Sequence, residues 1–419
     1  MSKGGRIKSK NVVSWIDLPE LVLCTLSQYF NRNDVIKLSK VCKSYRNHLL
    51  IQALRTITIP SFEDYAIFNI DIGLFNTENI YEFIINSLRN DFKGKYHLVK
   101  ELIFKIDFPD NFSTEIFPLF PRITNLKILE YQEYSFNKLI DILSSSNCLD
   151  SIALKLRFPE FYILDDSVYY NFFYQLKSIN LRVHRFMVDL ELPFDVIDSN
   201  FSNLKSLSVV NQHMLTKLSG GLQSLKYVEF LGEYVFDKAI LSTFFYNNSQ
   251  IRKISISTGC FDKNVVNSIL SLENLEHLEL TSDMSFNDID FSIMPENYSI
   301  KHITFKGICC KPDSISMIKL CRNLQTYEAV SMICIIKYTK VINTKFPDIN
   351  TLILSKAINV TGVKSFLKTV TKFDRVMFRN GFKLSELYKD LFVLERFGWY
   401  LKQDYSKGTN EFTLVRKSN

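Results

Sequence analysis

Glycine is scarce in this sequence, 13 in 419 residues, and no glycine-rich loop of the kind that cradles phosphates occurs. A nucleophile elbow and the paired-histidine helix of a metalloprotease are also missing. Eight cysteines are present without paired spacings. In a chain of this length that argues against a disulfide scaffold and for reduced thiols, as in a cytoplasmic or nuclear protein. Cys309, Cys310, Cys321 and Cys334 come nearest to a cluster, but their spacing is not that of a zinc site. Cys309 and Cys310 read as plain core residues. No apolar run is long enough to span a bilayer; Ala329 to Ile336 is among the longest. The basic opening MSKGGRIKSKN has no apolar stretch after it, so it does not read as a secretory signal. These absences leave no catalytic residue, cofactor, metal site or membrane segment to name.

What is there is globular. Hydrophobic residues make up 46% and aromatics 14%, enough to build a large core. Length alone allows two or three domains. The net charge of +7 is unevenly placed. Residues 1–14 carry Lys3, Arg6, Lys8 and Lys10 and no acid, and they read as a disordered basic tail. Residues 361–419 carry twelve Lys/Arg against six Asp/Glu, which leaves the stretch between at −3. A uniformly basic nucleic-acid binder is not built this way. The 35 phenylalanines read as core filler rather than stacking platforms for bases.

The chain is organised around Trp15 to Leu50. Leu18-Pro19 starts a helix, because proline in a first turn forfeits no hydrogen bond. Val22, Leu23, Leu26 and Phe30 then share one helical face. Asn31-Arg32-Asn33 is expected to break it, with Asp34 capping a second helix that carries Val35, Leu38 and Val41. A third helix would bury Tyr45, Leu49 and Leu50. Three short helices cannot cover so many apolar positions among themselves. The rest of the chain or a partner must do so.

This stretch resembles an F-box. The pattern opens with Leu-Pro and places apolar residues three, four, seven and eleven positions after the proline, here Val22, Leu23, Leu26 and Phe30. Asp34 and Val35 follow in register, then Val41-Cys42-Lys43, and Tyr45 stands where the family usually has tryptophan. Leu21 replaces a frequent glutamate. The resemblance implies docking on a Skp-family adaptor of a cullin–RING ubiquitin ligase through Leu18, Pro19, Val22, Leu23, Leu26, Phe30, Asp34, Val35, Leu38, Val41 and Tyr45.

Beyond it a short phrase recurs, apolar-x-x-apolar-x-apolar: VKELIF, LKILEY, LDSIAL and LKSINL, and on to INTLIL and FDRVMF. Its second apolar position reads as Leu102, Leu129, Ile152, Ile179, Leu207, Val228, Ile254, Leu278, Ile303, Tyr327, Leu352 and Val376, in steps of 21 to 28 residues. An earlier copy, LRTITI with Ile57, can open the series. Alternation within each phrase predicts a strand with one buried face. One strand per 20–29 residues is similar to leucine-rich repeats. Helical spacing falls between strands, as at Val266, Ile269 and Leu270, at Leu139, Ile140 and Leu143, and at Val363, Phe366, Leu367 and Val370. The fold class is therefore α/β: a three-helix F-box followed by a leucine-rich-repeat solenoid, a horseshoe with parallel strands on the concave face and helices outside. Five residues past the second apolar position such repeats usually carry Asn or Cys. Here Arg157, His184, Gln212, Gly259, Asp283 and Ile308 stand there, which predicts a missing turn ladder and an irregular arc.

The organisation expected is a basic tail over 1–14, the F-box over 15–53, a linker with the opening repeat over 54–97, the solenoid over 98–380 and a cap over 381–419. The linker holds a helix near Ile80 to Leu88; the cap holds a helix over GFKLSELYKDLFVLERFG and two strands. A terminal cap is needed to cover the last repeat's core.

By resemblance the chain is a substrate-recognition subunit of an SCF-type ubiquitin ligase, non-catalytic, acting by proximity. An F-box scaffold without target turnover, a plain leucine-rich-repeat binding module, and an enzyme with an unrecognised site are the alternatives. Target contacts are expected on the concave face at His277, Glu279, His302, Lys306, Arg375 and Arg379. A cation-lined groove there would suit an acidic or phosphorylated segment. His277 and His302 should be neighbours on adjacent strands, solvated on the surface rather than joined by a metal.

Overall fold

The computed structural model describes residues 32–40, 43–59, 77–105, 112–133, 144, 148–157, 166–183, 192–231, 236–282, 289–307, 312–330, 349–355, 373–379, 395, 398–402 and 412–416. The tail, the first F-box helix, the helix expected over 363–370 and nearly all of the terminal helix lie outside these residues.

Helices α1 (Arg32–Ser39) and α2 (Lys43–Leu54) pack on each other. Val35, Leu49 and Ala53 form their small core, with Ile36 and Leu38 partly buried against it. Arg32, Asn33 and Asp34 already lie inside helix α1, so the second helix starts before the expected cap, while Asn31 and the end of the first helix lie outside the described residues. None of the three is a glycine or proline, and polar residues cost a helix only tenths of a kcal/mol. Asp34 falls instead inside the helix.

One residue after α2 the sheet begins. Among the described residues it has fifteen strands in strict chain order up to the thirteenth. These are β1 (Thr56–Ile59), β2 (Glu101–Phe104), β3 (Asn125–Glu133), β4 (Ser151–Arg157), β5 (Ser178–Val183), β6 (Ser206–Val209), β7 (Tyr227–Phe230), β8 (Lys253–Ser257), β9 (His277–Ser282), β10 (His302–Gly307), β11 (Thr326–Ala329), β12 (Thr351–Leu354) and β13 (Arg375–Phe378), all parallel. Ile57 pairs with Leu102, so the LRTITI copy is the first rung. Helix α3 (Thr77–Asp91) is inserted between the first two strands and runs longer than Ile80 to Leu88.

Parallel pairing fixes the buried row. Leu102, Leu126, Ile152, Ile179, Leu207, Val228, Ile254, Leu278, Ile303, Tyr327, Leu352 and Val376 stand in register and are all buried. One position corrects the sequence reading: Leu126, not Leu129, pairs with Leu102 and Ile152. LKILEY allows two frames because Leu126, Ile128 and Leu129 are all apolar. The core takes Leu126 and Ile128, both fully buried, and leaves Leu129 partly exposed. The register shifts just beyond, between Ile128 and Gln132.

Helices cover the other side of this row. In α8 (Lys263–Leu270, after α4 Phe112–Leu119, α5 Asp166–Tyr174, α6 Gln212–Leu218 and α7 Lys238–Asn247), Val265, Val266, Ile269 and Leu270 are buried in the same cluster as Leu278 and Leu280. Asp262 caps it by accepting from the Val265 amide at 2.8 Å. Helix α9 (Pro312–Leu320) does the same for the next repeat through Met317 and Ile318.

The expected loss of a turn ladder is only half right. At the entry to each strand one backbone carbonyl accepts two amides from the next repeat: Arg55 O from Lys100 and Glu101, and so on to Asn350 O from Asp374 and Arg375. Over five successive repeats a side chain adds to it. Ser224, Gln250, Asn274, Ser299 and Asn323, each just before the first apolar residue of its phrase, donate to carbonyls of the preceding repeat. Buried Asn297 donates to Leu270 O and Leu272 O and accepts from the Ile300 amide. The polar ladder therefore exists, but on the turn entering the strand.

Strands β14 (Trp399–Lys402) and β15 (Phe412–Arg416) close the sheet antiparallel on β13. Trp399 and Leu414 are buried there.

Candidate partner-binding faces

Strand residues that alternate with the buried row form the open face of the sheet. Its middle row repeats with unexpected regularity: Ser208, Glu229, Ser255, Glu279, Thr304 and Glu328 occupy six successive rungs in register. Each glutamate accepts from the hydroxyl of the strand before it, at 3.3, 2.7 and 3.3 Å. Each also holds at least one cation. Arg182 donates two bonds of 2.7 Å to Glu229. Lys306 pairs with Glu279 at 2.5 Å, and Lys253 approaches it at 3.7 Å. Arg379 reaches Glu328 at 2.9 Å, and His302 lies 3.3 Å from it.

The carboxylates form the floor and the cations the rim: the Glu279 side chain is 9% exposed, against 54% for Lys306. Burial alone would raise Glu279, yet hydrogen bonds from Lys306 and Ser255 and the charges of Lys306 and Lys253 hold it below the usual carboxylate range. Glu328 is likewise opposed by burial but is brought down to about 2 by His302, Ser355 and Arg379. Small side chains on β5 and β6 open a depression of about 460 Å³ in this face, lined by Asn180, Ser206 and Ser208 beside Arg182, Tyr227 and Lys253.

His277 and His302 are neighbours, as the repeat phase predicts, but they are not simply solvated. Their rings stack at 4.1 Å and 16°. Both Nε2 atoms lie near Thr304 Oγ1, at 3.0 and 3.2 Å. Burial first, then the neighbouring His302 and Lys253, push His277 down to about 3. Among the described residues no group of three or more His, Cys, Asp or Glu is placed to hold a metal ion.

A pH dependence follows. An unfolded histidine titrates near 6.5, while folded His277 stays neutral to about 3. Between these values the unfolded chain binds a proton that the folded chain does not, so stability falls as pH falls. Glu328 acts in the same direction, but only below its ordinary 4.5. Between pH 7 and pH 5 the loss from His277 is about 2 kcal/mol. His277→Gln should remove most of that slope in denaturant titrations at the two pH values; equal slopes in both proteins would refute it.

The residues expected to touch a target are thus arranged differently from a strip of free cations. Lys306 and Glu279 hold each other, and Arg379 and His302 share Glu328. Arg375 is exposed on β13 and makes no ion pair with a described residue. Arg182, Glu229, Lys253 and Glu328 were not singled out from the sequence. The signal was available: aligned on the buried row, Ser/Thr and Glu alternate in one column.

Of the expected adaptor contacts, Leu18, Pro19, Val22, Leu23, Leu26, Phe30 and Val41 lie outside the described residues. Asp34 and Tyr45 lie on α1 and α2. Val35, expected on a partly exposed surface, is 3% exposed and packs on Leu49 and Ala53. It stabilises the helix pair rather than presenting itself to a partner. Leu38 is partly buried, and Ile51 on α2 is 58% exposed.

Comparison with known proteins gives the class. Residues 15–55 match the F-box domain. The chain therefore carries an F-box domain, and the parallel strands in chain order that follow it, one per repeat, form a leucine-rich-repeat solenoid. No curated protein matches the chain. Among solved structures, a chain of the yeast Rad7 and Elc1 complex is similar at 17% identity over 71% of this chain and 81% of that one, with a TM-score of 0.38. The leucine-rich-repeat-containing protein LegL7 from Legionella pneumophila is similar at 14% identity over 67% and 93%, with a TM-score of 0.39. No helix among the described residues is long and apolar enough to cross a membrane.

Proposed function

We propose that this chain is a target-recognition subunit of an SCF-type ubiquitin ligase, working in the cytoplasm or nucleus. The observation that carries the reading is the union of an F-box with a continuous sheet whose open face is a lattice of paired polar side chains. The F-box binds a Skp-family adaptor and through it a cullin–RING ligase. The solenoid holds a target protein near the charged conjugating enzyme. No bond chemistry by this chain is required, since raising the local concentration of the target lysine is itself the catalytic contribution.

The open face between β5 and β13 supports target binding through its arrangement. Side chains locked by mutual ion pairs lose little conformational freedom when a partner lands on them. His277, Glu279, His302, Lys306, Arg375 and Arg379 belong to this face, and Arg182, Glu229 and Glu328 join them. Because most of its cations already hold a carboxylate, the face reads shape and hydrogen bonding more than net charge. The test is reconstitution with adaptor, cullin and RING subunits, followed by identification of proteins that become ubiquitylated. Adaptor capture without any ubiquitylated target would favour the scaffold reading. Failure to capture the adaptor would leave a plain binding solenoid.

A further inference from the structure

On the open face most cations hold an acid. The edge where strands begin differs. The residue after the first apolar position of each phrase lies on that edge, held by the two-amide bond described above. Over three successive repeats it is Lys205, Lys226 and Arg252. Their carbonyls are linked rung to rung: Lys205 O accepts from Lys226 and Tyr227, and Lys226 O from Arg252 and Lys253. Lys205 and Arg252 are exposed, Lys226 is half-buried, and none of the three pairs with an acid among the described residues. Beside them Tyr227 is 46% exposed.

The row has ends. On one side Lys177 is neutralised by Asp150 at 2.9 Å. On the other, the next rung is Glu276, and Arg252 itself lines a depression of about 650 Å³ together with Glu273, Glu276 and Glu296. Three like charges on rungs roughly 5 Å apart repel one another, and none of them is ion-paired with a described acid. The backbone bonds hold the three residues on successive rungs.

We infer that Lys205, Lys226 and Arg252, with Tyr227, form a docking edge for a short acidic segment of a partner protein. Two rung spacings cover about 10 Å, the reach of three to four extended residues. That length matches two or three carboxylates. It is short for a duplex, whose binding draws on many more phosphate contacts, and the sign reversal at Glu276 would repel a longer polyanion. This edge borders the open face at Tyr227, which also lines the depression there. It rests on the receptor reading in one respect: the acidic segment would belong to the target.

The experiment uses the full chain with its adaptor and a fluorescent hexaglutamate peptide as probe. Hexalysine and oligothymidylate of similar length are the controls. The expected result is hexaglutamate binding that weakens with salt, falls at least tenfold in the triple variant Lys205→Glu, Lys226→Glu, Arg252→Glu, and falls to a lesser degree in the triple alanine variant. A variant on the helical side, Lys217→Ala in the last turn of α6, should bind the peptide as wild type does. Absence of hexaglutamate binding at low salt overturns the inference, as does equal binding by the triple variants. Preferential oligothymidylate binding overturns it in favour of a nucleic-acid edge. Adaptor capture is measured in the same samples. Intact capture with no peptide binding removes the docking edge alone, whereas lost capture in the wild type removes the receptor reading.

Discussion

Leu23→Asp should abolish co-purification with a Skp-family adaptor. Leu23 lies four residues after Pro19, at helical spacing from Leu26 and Phe30 in the sequence, within the stretch that matches the F-box domain. An aspartate there would be carried into an apolar interface without a partner, at a cost of several kcal/mol. Each 1.4 kcal/mol is tenfold in affinity, so even a nanomolar complex would fall out of a pull-down. The solenoid should be untouched, because its core is a separate cluster from that of α1 and α2. The check is an adaptor pull-down beside a thermal melt. Wild-type adaptor yield from the variant would remove the assignment of this face to the adaptor.

The repeat frame was legible because a parallel sheet demands it. Every rung must offer an apolar residue at the same place, and eleven of the twelve positions read from the sequence stand in register. The twelfth failed at LKILEY, where three apolar residues in four allow two frames, and only packing against the neighbouring rungs decides between them. The turn ladder was misread for a similar reason. A search five residues past the strand centre looks at the strand's exit, whereas Ser224, Gln250, Asn274, Ser299 and Asn323 tie the repeats together at its entry. The charges of the open face were individually visible. Their pairing was not, since Arg182 meets Glu229 and Arg379 meets Glu328 across an intervening strand. Such contacts depend on side-chain length and tilt, which periodicity does not encode. The start of α1 was missed because Asn31-Arg32-Asn33 resembles a breaker in isolation, while the packing of Val35 on Leu49 fixes the helix from outside it.

Leu278→Ala should be among the most destabilising single changes in the solenoid, at about 2–5 kcal/mol. Leu278 is fully buried in β9, in register with Ile254 and Ile303 on its neighbours. The same cluster includes Val265, Val266, Ile269 and Leu270 of α8, so truncation empties space that rigid rungs on both sides cannot refill. Repeat stability is transmitted between nearest neighbours, so the damage should centre on the repeats of β8 to β10 and appear there as faster amide exchange. The adjacent residue gives the contrast. From the strand pattern alone, Glu279→Ala on the opposite face would be close to neutral. Its carboxylate, however, accepts from Ser255 and holds Lys306 and Lys253. The lysines are 54% and 38% exposed and regain water when released, which limits the loss. Glu279→Ala should therefore cost about 1–2 kcal/mol, above a neutral surface change and below Leu278→Ala. His277→Ala, which removes a neutral ring that is penalised in acid, should cost less at pH 5 than at pH 7. Denaturant titration of the three variants at both pH values settles the order. If Glu279→Ala proves as costly as Leu278→Ala, the ion-paired face rather than the apolar row dominates the stability of these repeats.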